Sequence, residues 1–235
     1  METDALVLRP ILDGDEVSQV SYRWAQDAVD QAHNAGFHVE DLGGRELSKT
    51  EVHQAIDRVN PGLLVHYDHG QEDGWIGNRT ELIISLPDAW RLSGRLVYTM
   101  NCLSAKQLGV EAWRKNAKVY LGYDQEFAFT LYDELFFREA VSYGLYLYAS
   151  GLRNWAEIKT RMYAKFNELI ARAADPWTQM WLRHDRDALK VYNGESPQTT
   201  CTFRKLALKL FGERLGWKIP APRLRRPQLR RTIFQ

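Results

Sequence analysis

The chain has 235 residues, enough for one domain of about 200 to 250 residues with a sizeable hydrophobic core. Its 8 Trp and 11 Tyr, within a hydrophobic fraction of 45%, are typical of a folded globular protein and argue against disorder. No apolar run reaches the roughly 20 residues that span a bilayer, and the formal net charge is a near-neutral +1.

The N-terminal residues and the cysteine count both favour the cytoplasm. Residues 1–4, Met-Glu-Thr-Asp, lack the basic-then-apolar order of a secretion signal. Cys102 and Cys201 are the two cysteines, too few for a disulfide framework and more typical of a reducing compartment. We therefore predict a cytoplasmic protein that does not enter a membrane.

Strands and helices alternate through the first part of the sequence. Residues 5–12 (ALVLRPIL) are typical of a strand, residues 20–35 of a helix, and residues 36–42 of a second short strand. The pattern Ser48-Lys-Thr-Glu51 is a capping box before a helix that ends near Val59. This alternation predicts a parallel sheet with right-handed crossovers.

Two apolar runs of strand length each end in a reactive side chain. Residues 63–65 (LLV) lead to His69, and residues 95–99 (RLVYT) lead to Cys102. Chemistry in an open α/β sheet gathers at the carboxyl ends of adjacent strands. We therefore expect His69 and Cys102 to meet there, with the turn at residues 13–16 at the same rim.

A thiol and an imidazole at adjacent strand ends match the parts of a nucleophile and its base. The thiolate is the reactive form, and a neighbouring imidazole takes the proton or stabilises the anion. Gly70 lets the backbone approach a substrate closely, so the amides of Gly70 and Cys102 are candidates for an oxyanion hole. The alternative reading is that Cys102 is packed and inert and that His69 is a hydrogen-bonded core histidine.

These motifs resemble the caspase-like cysteine peptidases, which include gingipains, metacaspases, legumains and bacterial CHAT-type domains. The resemblance lies in an apolar strand ending in His69-Gly70 and a second one ending in Cys102 followed by small residues, Ser104 and Ala105. It covers roughly residues 1–135. The resemblance implies an α/β fold, a caspase-like three-layer sandwich with a mainly parallel sheet flanked by helices, and a Cys102 nucleophile with His69 as its partner.

The resemblance also implies an activity. A relative of these enzymes would be a cysteine endopeptidase that cleaves protein or peptide substrates through a Cys-His dyad and an acyl-thioester intermediate, with the Gly70 amide in the oxyanion hole. That chemistry requires no cofactor and no metal. Many relatives belong to larger signalling or defence systems, so membership of such an assembly is a further hypothesis. The alternative is a catalytically inactive caspase-like binding or regulatory subunit.

A zinc-dependent hydrolase is another alternative from the same residues. His66-Tyr67-Asp68-His69 matches the last four positions of the His-x-His-x-Asp-His signature of metallo-β-lactamase-like hydrolases. Zinc takes His and carboxylate ligands and activates water. Leu64 occupies the position of the first His and cannot bind a metal, so we favour the dyad.

The segments around the dyad carry three further expectations. Residues 71–77 are predicted to form a polar loop, and residues 118–123 the next core strand. A helix over residues 103–117 would place Cys102 near a helix N-terminus, where the partial positive charge lowers the pKa of a thiol.

Three carboxylates are candidates for a substrate pocket. Asp124 and Glu126 follow the strand at residues 118–123, and Asp13 lies in the turn expected at the same rim. An acidic pocket would favour Lys or Arg in the substrate by charge pairing, although acidic residues after a strand are also common as solvated groups.

The C-terminal part of the predicted domain is helix-rich. Helices are expected over residues 131–149 and 155–173. Residues 182–194 look like a charged turn that leads into a short strand at the sheet edge. His184 and Asp185 are assigned to that turn and not to catalysis.

We expect a domain over residues 1–200, with its core at residues 1–135 and a helical elaboration with the edge strand at residues 130–200. Residues 201–235 are predicted to be a C-terminal helix at residues 203–215 and a basic, proline-containing tail. From Arg204 onward there are 10 Lys or Arg and 1 Asp or Glu, a balance of +9 against −8 for the rest of the chain. The tail is expected to contact a protein partner, since no aromatic platform or recognised nucleic-acid fold accompanies it.

Overall fold

Residues 4–194 are described by a computed structural model, and their strands and helices alternate along the chain. The strands are β1 (Asp4–Arg9), β2 (His38–Gly43), β3 (Leu63–Tyr67), β4 (Gly70–Gln71), β5 (Gly74–Ile76), β6 (Leu82–Ser85), β7 (Leu96–Met100), β8 (Val119–Tyr123) and β9 (Leu189–Asn193). The helices are α1 (Glu16–Asn34), α2 (Lys49–Val59), α3 (Leu108–Arg114), α4 (Glu134–Ala149), α5 (Trp155–Arg172) and α6 (Pro176–Ala188), with a 3-10 helix at Leu86–Leu92.

The main sheet has six strands in the order β2-β1-β3-β7-β8-β9. All neighbouring pairs are parallel except β8 and β9, which are antiparallel. The predicted α/β fold with a mainly parallel sheet is therefore confirmed. β3 and β7 are direct neighbours, paired from Leu63 with Leu96 to Tyr67 with Met100, so their carboxyl ends lie at the same edge.

Each face of the main sheet buries its own hydrophobic core because successive side chains of a strand point to opposite faces. Val65 and Tyr67 of β3 pack on the face covered by α1, α4, α5 and α6. Leu64 packs on the other face, under α2, α3 and the short strands β5 and β6. Helices thus flank the sheet on both sides, which explains why its central strands are continuous apolar runs.

The loop predicted at residues 71–77 is a small antiparallel sheet instead. β4, β5 and β6 pair in that order, and Trp75 at its centre is fully buried. Strands of two or three residues are too short to show a period of two in the sequence. Gly74 permits the pairing, since a Cβ there would lie 2.5 Å from the carbonyl oxygen of Ile84.

The helix predicted over residues 103–117 begins later, because α3 spans only Leu108–Arg114. The amides of Leu103 and Ala105 donate to the carbonyl oxygens of Gln125 and Tyr123, at 3.0 Å each, and so join the segment after β7 to the end of β8. Leu103 has φ +59°, a left-handed conformation that strains a residue with a branched side chain. The chain therefore turns after Cys102 before any helix forms.

The charged turn predicted at residues 182–194 is a helix that leads into a strand. Asp175 caps α6 by accepting from the amide of Thr178 at 2.7 Å, and Pro176 occupies its first turn. Asp185 lies on the buried face of α6 between Leu182 and Ala188, which interrupts the apolar pattern in the sequence. The predicted edge strand is confirmed as β9.

Several predictions lie outside the described residues. They are the boundary of the domain at residue 200, the helix at residues 203–215, the basic tail and the surroundings of Cys201. Within residues 4–194, none of the helices combines the length and the apolar character that crossing a bilayer requires.

Truncating the core beneath α5 should strongly destabilise the fold. Phe166 is fully buried against the sheet, so Phe166→Ala should lower the free energy of unfolding by about 3–5 kcal/mol, through lost burial and the cavity left behind. Urea unfolding followed by circular dichroism measures the change. Tyr132→Ala removes an aromatic ring that is 89% exposed and should change the free energy by less than about 0.5 kcal/mol. Equal losses for the two variants would contradict this packing.

Candidate active site

His69 and Cys102 line one cavity at the carboxyl ends of β3 and β7. Its volume is about 530 Å³. The lining is completed by Glu16, Val17, Gly70, Leu103, Glu126, Phe127, Ala128, Phe129, Leu131 and Trp181. The cavity therefore contains both members of the predicted dyad, an aromatic and aliphatic wall, and two carboxylates.

The thiol of Cys102 is half-buried and contacts the backbone of Phe127. The amide of Phe127 donates to Sγ at 3.3 Å, and Sγ lies 3.9 Å from the carbonyl oxygen of the same residue. Burial raises the pKa of the thiol, and the nearby carboxylates of Glu126 and Asp185 raise it further, against the opposing effect of the Phe127 amide. The expectation of a lowered pKa is wrong, because burial and the carboxylates raise it, and α3 begins only at Leu108, six residues beyond Cys102.

Asp15 holds the imidazole of His69. Nε2 of His69 lies 3.0 Å from Oδ2 of Asp15, and Oδ1 of Asp15 accepts from the amide of Ser18 at 2.9 Å, which caps α1. Burial raises the pKa of Asp15, but the Ser18 amide and the charge of His69 outweigh burial and leave the pKa lowered. Asp15 is thus a carboxylate at neutral pH.

Among the described residues, the hydrogen bonds of His69 and Cys102, the predicted dyad, go to different partners. His69 bonds to Asp15, whereas the thiol bonds to Phe127. Because Nε2 is occupied, Nδ1 is the ring nitrogen available to a thiol or a substrate. A missing hydrogen bond between nucleophile and base is common in enzymes without substrate, because catalytic hydrogen bonds often form or shorten only in the substrate complex.

The sequence singled out the turn at residues 13–16 as part of this rim but did not identify Asp15 as the partner of His69. An Asp immediately before a helix is typical of an N-cap, which Asp15 is, so its sequence position indicates only that role. Its second carboxylate oxygen is free to reach across from β1 to β3 because these strands are neighbours. Only the sheet order reveals that role.

Asp68 is the second carboxylate near the imidazole. Its side chain is fully buried, and neither of its oxygens has a hydrogen-bond partner among the described residues. Oδ1 lies 4.0 Å from Nε2 of His69. Burial raises the pKa of Asp68, which favours its neutral form, while the charge of His69 acts in the opposite direction.

The backbone at Gly70 suits the predicted oxyanion hole. The amide of Ile76 donates to the carbonyl of His69, so Gly70 and Trp75 form a non-hydrogen-bonded pair and the Gly70 N–H points away from β5. No hydrogen bond between described residues uses the amide of Cys102. A Cβ at position 70 would lie 2.7 Å from the carbonyl oxygen of Cys102, so only glycine permits this approach.

A buried hydrogen-bonded network fixes the residue before the thiol. The side-chain amide of Asn101 donates to Nδ1 of His66 at 2.7 Å, and Nε2 of His66 donates to the carbonyl of Ile76 at 3.2 Å. Oδ1 of Asn101 accepts from Ser104. The hydroxyl of Tyr120 donates to Oγ of Ser104 at 3.0 Å and accepts from the indole of Trp75 at 3.0 Å, and Trp75 stacks on His66.

The zinc alternative requires His66 as a ligand, and this network occupies His66. Both ring nitrogens of His66 are bonded within the core, and burial lowers the His66 pKa to about 3, so it is neutral. Within residues 4–194, no group of three His, Cys, Asp or Glu side chains is arranged to hold a metal ion. His66 is a structural residue.

One of the three carboxylates predicted for the substrate pocket lines the cavity. That residue is Glu126, and Glu16 joins it from the start of α1. Asp124 instead forms an ion pair with Lys190 at 3.0 Å. Asp13 is exposed, and its carbonyl oxygen accepts from Arg79.

The comparison with known proteins does not assign a family. No protein-family model matches this sequence, and no curated protein matches it at a significant level. The function of the chain is therefore inferred from its own residues and their geometry.

The buried, neutral His66 should make stability depend on pH. Its pKa falls from an ordinary 6.5 to about 3 on folding, so between these values the unfolded chain binds the additional proton. This contribution to the free energy of unfolding is complete above about pH 6.5 and is lost as the pH falls towards 3. Between pH 6.5 and 4, urea unfolding should show a steeper fall for the wild type than for His66→Gln, by on the order of 3 kcal/mol.

The difference between these two proteins isolates His66. The pKa values of Asp68 and Asp185 are raised by burial and act in the opposite direction, but both residues are present in both proteins. Gln retains a donor and an acceptor for Ile76 and Asn101. His33→Gln, at an exposed position, controls for the loss of a histidine as such. Parallel curves for the wild type and His66→Gln would contradict a buried neutral imidazole.

Proposed function

We propose that this protein is a cysteine endopeptidase with a caspase-like fold, in which Cys102 is the nucleophile and His69 its acid-base partner. The observation that carries the proposal is the opening of both side chains into one cavity from the ends of adjacent parallel strands. The carboxylate of Asp15 on His69 and the Gly70 amide, which points away from β5, support it. These are the parts of a nucleophile, a base, an orienting group and an oxyanion hole.

The proposed reaction has two halves. Nδ1 of His69 takes the proton of the Cys102 thiol as Sγ attacks the carbonyl carbon of a peptide bond, and the amides of Gly70 and Cys102 stabilise the oxyanion. The C–N bond then breaks, the amine leaves with the proton held by His69, and an acyl-thioester remains on Cys102. In the second half, water gives a proton to His69 and attacks the carbonyl carbon of the thioester. The C–S bond then breaks, the acid is released, and the sulfur takes the proton from His69 to restore the thiol.

The raised pKa of Cys102 determines when the thiolate forms. At neutral pH the thiol carries its proton, so ionisation accompanies proton transfer to His69 in the substrate complex. Asp15 keeps Nε2 of the ring engaged and stabilises the imidazolium. No cofactor is required for these steps.

The cavity lining supports a polypeptide substrate. Phe127, Phe129 and Trp181 offer a broad apolar wall, while Glu16 and Glu126 bring negative charge. A substrate side chain with an aliphatic stem and a cationic end, Lys or Arg, suits both features. Contact with a protein partner through the basic tail stays a prediction.

One observation favours the non-catalytic alternative. The thiol is bonded to the backbone of Phe127 and not to His69, and its pKa is raised. A binding or regulatory subunit with this fold would keep such a thiol inert. The two candidates differ in whether Cys102 reacts with a substrate-like electrophile in a way that depends on His69.

Cleavage should depend on the dyad and on Asp15. Cys102→Ala should abolish cleavage in a peptide library, since no other group replaces the nucleophile. His69→Ala should lower kcat/KM by about 10²–10⁴, the usual contribution of a positioned base. Asp15→Asn should lower kcat by about tenfold or more with little change in KM, because the neutral amide stabilises the imidazolium less.

The neighbouring turn residue offers a matched control. Asp13→Asn changes the same residue type two positions away, with no contact to His69, and should leave kcat unchanged. Circular dichroism should show that all variants fold. Labelling by a peptidyl chloromethyl ketone that is equal in the wild type and His69→Ala, together with no cleavage by the wild type, would favour the binding subunit.

Glu126 should contribute to a preference for basic side chains. Glu126→Gln should lower the ratio of kcat/KM for Arg over norleucine peptides by up to about fivefold, since an exposed ion pair contributes at most about 1 kcal/mol. Asp124→Asn is the control, because its carboxylate already pairs with Lys190. An unchanged ratio in Glu126→Gln would remove the charge argument.

A further inference from the structure

Helix α6 holds the cavity wall beside the thiol through two adjacent side chains. Oδ1 of Asp185 accepts from the amide of Ala128 at 3.0 Å. Nε2 of His184 lies 2.7 Å from the carbonyl oxygen of Glu126 and donates to it. The two bonds fall on either side of Phe127, so the segment from Glu126 to Ala128 is fixed from both ends.

The residue between these two bonds supplies the polar contact to the sulfur. The Phe127 amide donates to Sγ of Cys102 at 3.3 Å, and this bond favours the thiolate. Its geometry depends on the backbone of residues 126–128, which follows β8 and belongs to no helix or strand. A segment without secondary structure needs side-chain partners to keep one conformation.

Burying the carboxyl group of Asp185 costs free energy, which its hydrogen bond with the Ala128 amide partly offsets. The residue is 0% exposed, and its Oδ2 has no partner among the described residues. An apolar side chain at this position would extend the buried face formed by Leu182 and Ala188. Among the described residues, the bond from the Ala128 amide is the one hydrogen bond that this carboxyl group makes.

We propose that His184 and Asp185 are positioning residues, which hold residues 126–128 so that the Phe127 amide stabilises the Cys102 thiolate. The role rests on the proposed function for its biological purpose. The positioning itself is a property of the folded chain and can be measured without turnover. It also gives α6 a part in the site, because the thiol, the wall and the helix are linked through three consecutive backbone positions.

The charges around the thiol decide which variants are informative. Glu126 and Asp185 raise its pKa together with Asp68, and His69 faces the same cavity. Removing Asp185 therefore removes an ionisable group as well as an acceptor. Asp185→Asn and Asp185→Ala remove the same ionisable carboxyl group, but only Asn keeps an oxygen that can accept from Ala128.

The test is the rate of alkylation of Cys102 by iodoacetamide from pH 6 to 10, in the full-length protein, with mass spectrometry to separate Cys102 from Cys201. Asp185→Ala should have its midpoint at higher pH than Asp185→Asn and react about fivefold more slowly at pH 7.5, the effect of one hydrogen bond. His184→Ala should shift the midpoint upward from the wild type, whereas His184→Gln, which retains a donor for Glu126, should restore it.

The outcomes separate this proposal from the proposed function. Coincident profiles for Asp185→Ala and Asp185→Asn, with His184→Ala equal to the wild type, would overturn the positioning role even if the protein cleaves peptides. The predicted shifts in a chain without peptidase activity would support the role and contradict the function. If Asp185→Ala does not fold, the comparison of His184→Ala with His184→Gln tests the proposal instead. The His184 side chain lies on the outer part of α6 and forms one hydrogen bond to residues 126–128.

Discussion

The candidate active site depends on a network of buried hydrogen bonds that joins the main sheet to the small antiparallel sheet through the segment after β7. It runs from the indole of Trp75 in β5 through Tyr120 of β8, Ser104, Asn101 and His66 of β3, and ends at the carbonyl of Ile76 in β5. Leaving one buried partner unsatisfied costs about 1–3 kcal/mol, so each member favours the conformation of the next. Asn101 is part of this network and precedes Cys102 directly, which fixes where the chain turns and where the sulfur lies.

Burial orders the site and at the same time opposes ionisation in it. Asp68 and Asp185 are carboxyl groups with incomplete hydrogen bonding, and both favour the neutral form. The same environment raises the pKa of Cys102. Asp15 differs because the amide of Ser18 and the imidazole compensate its burial. The site thus has one partly buried acid, Asp15, that is ionised beside the histidine, and a thiol that keeps its proton.

The strands of the sheet and the rim that carries His69 and Cys102 were predictable from the sequence, because buried parallel strands are continuous apolar runs. Asp15 was not, since its second role depends on β1 and β3 being neighbours. The small antiparallel sheet was missed because strands of two and three residues show no periodicity. Asp185 looked like part of a charged turn, since a carboxyl group on the buried face of a helix breaks the apolar pattern. The predicted direction of the thiol pKa shift was wrong, because α3 starts later than the sequence indicated and burial raises the pKa.

The order of the elements along the chain also affects when the candidate site can assemble during synthesis. Its parts come from the ends of β1, β3, β7 and β8, and the wall beside the sulfur is secured by α6, the last helix of the described residues. Since chains emerge from the ribosome N-terminus first, a nascent polypeptide that already exposes Cys102 still lacks the helix that shapes its surroundings. Such an order leaves the thiol of an unfinished chain without the hydrogen bonds that α6 gives to the wall beside it.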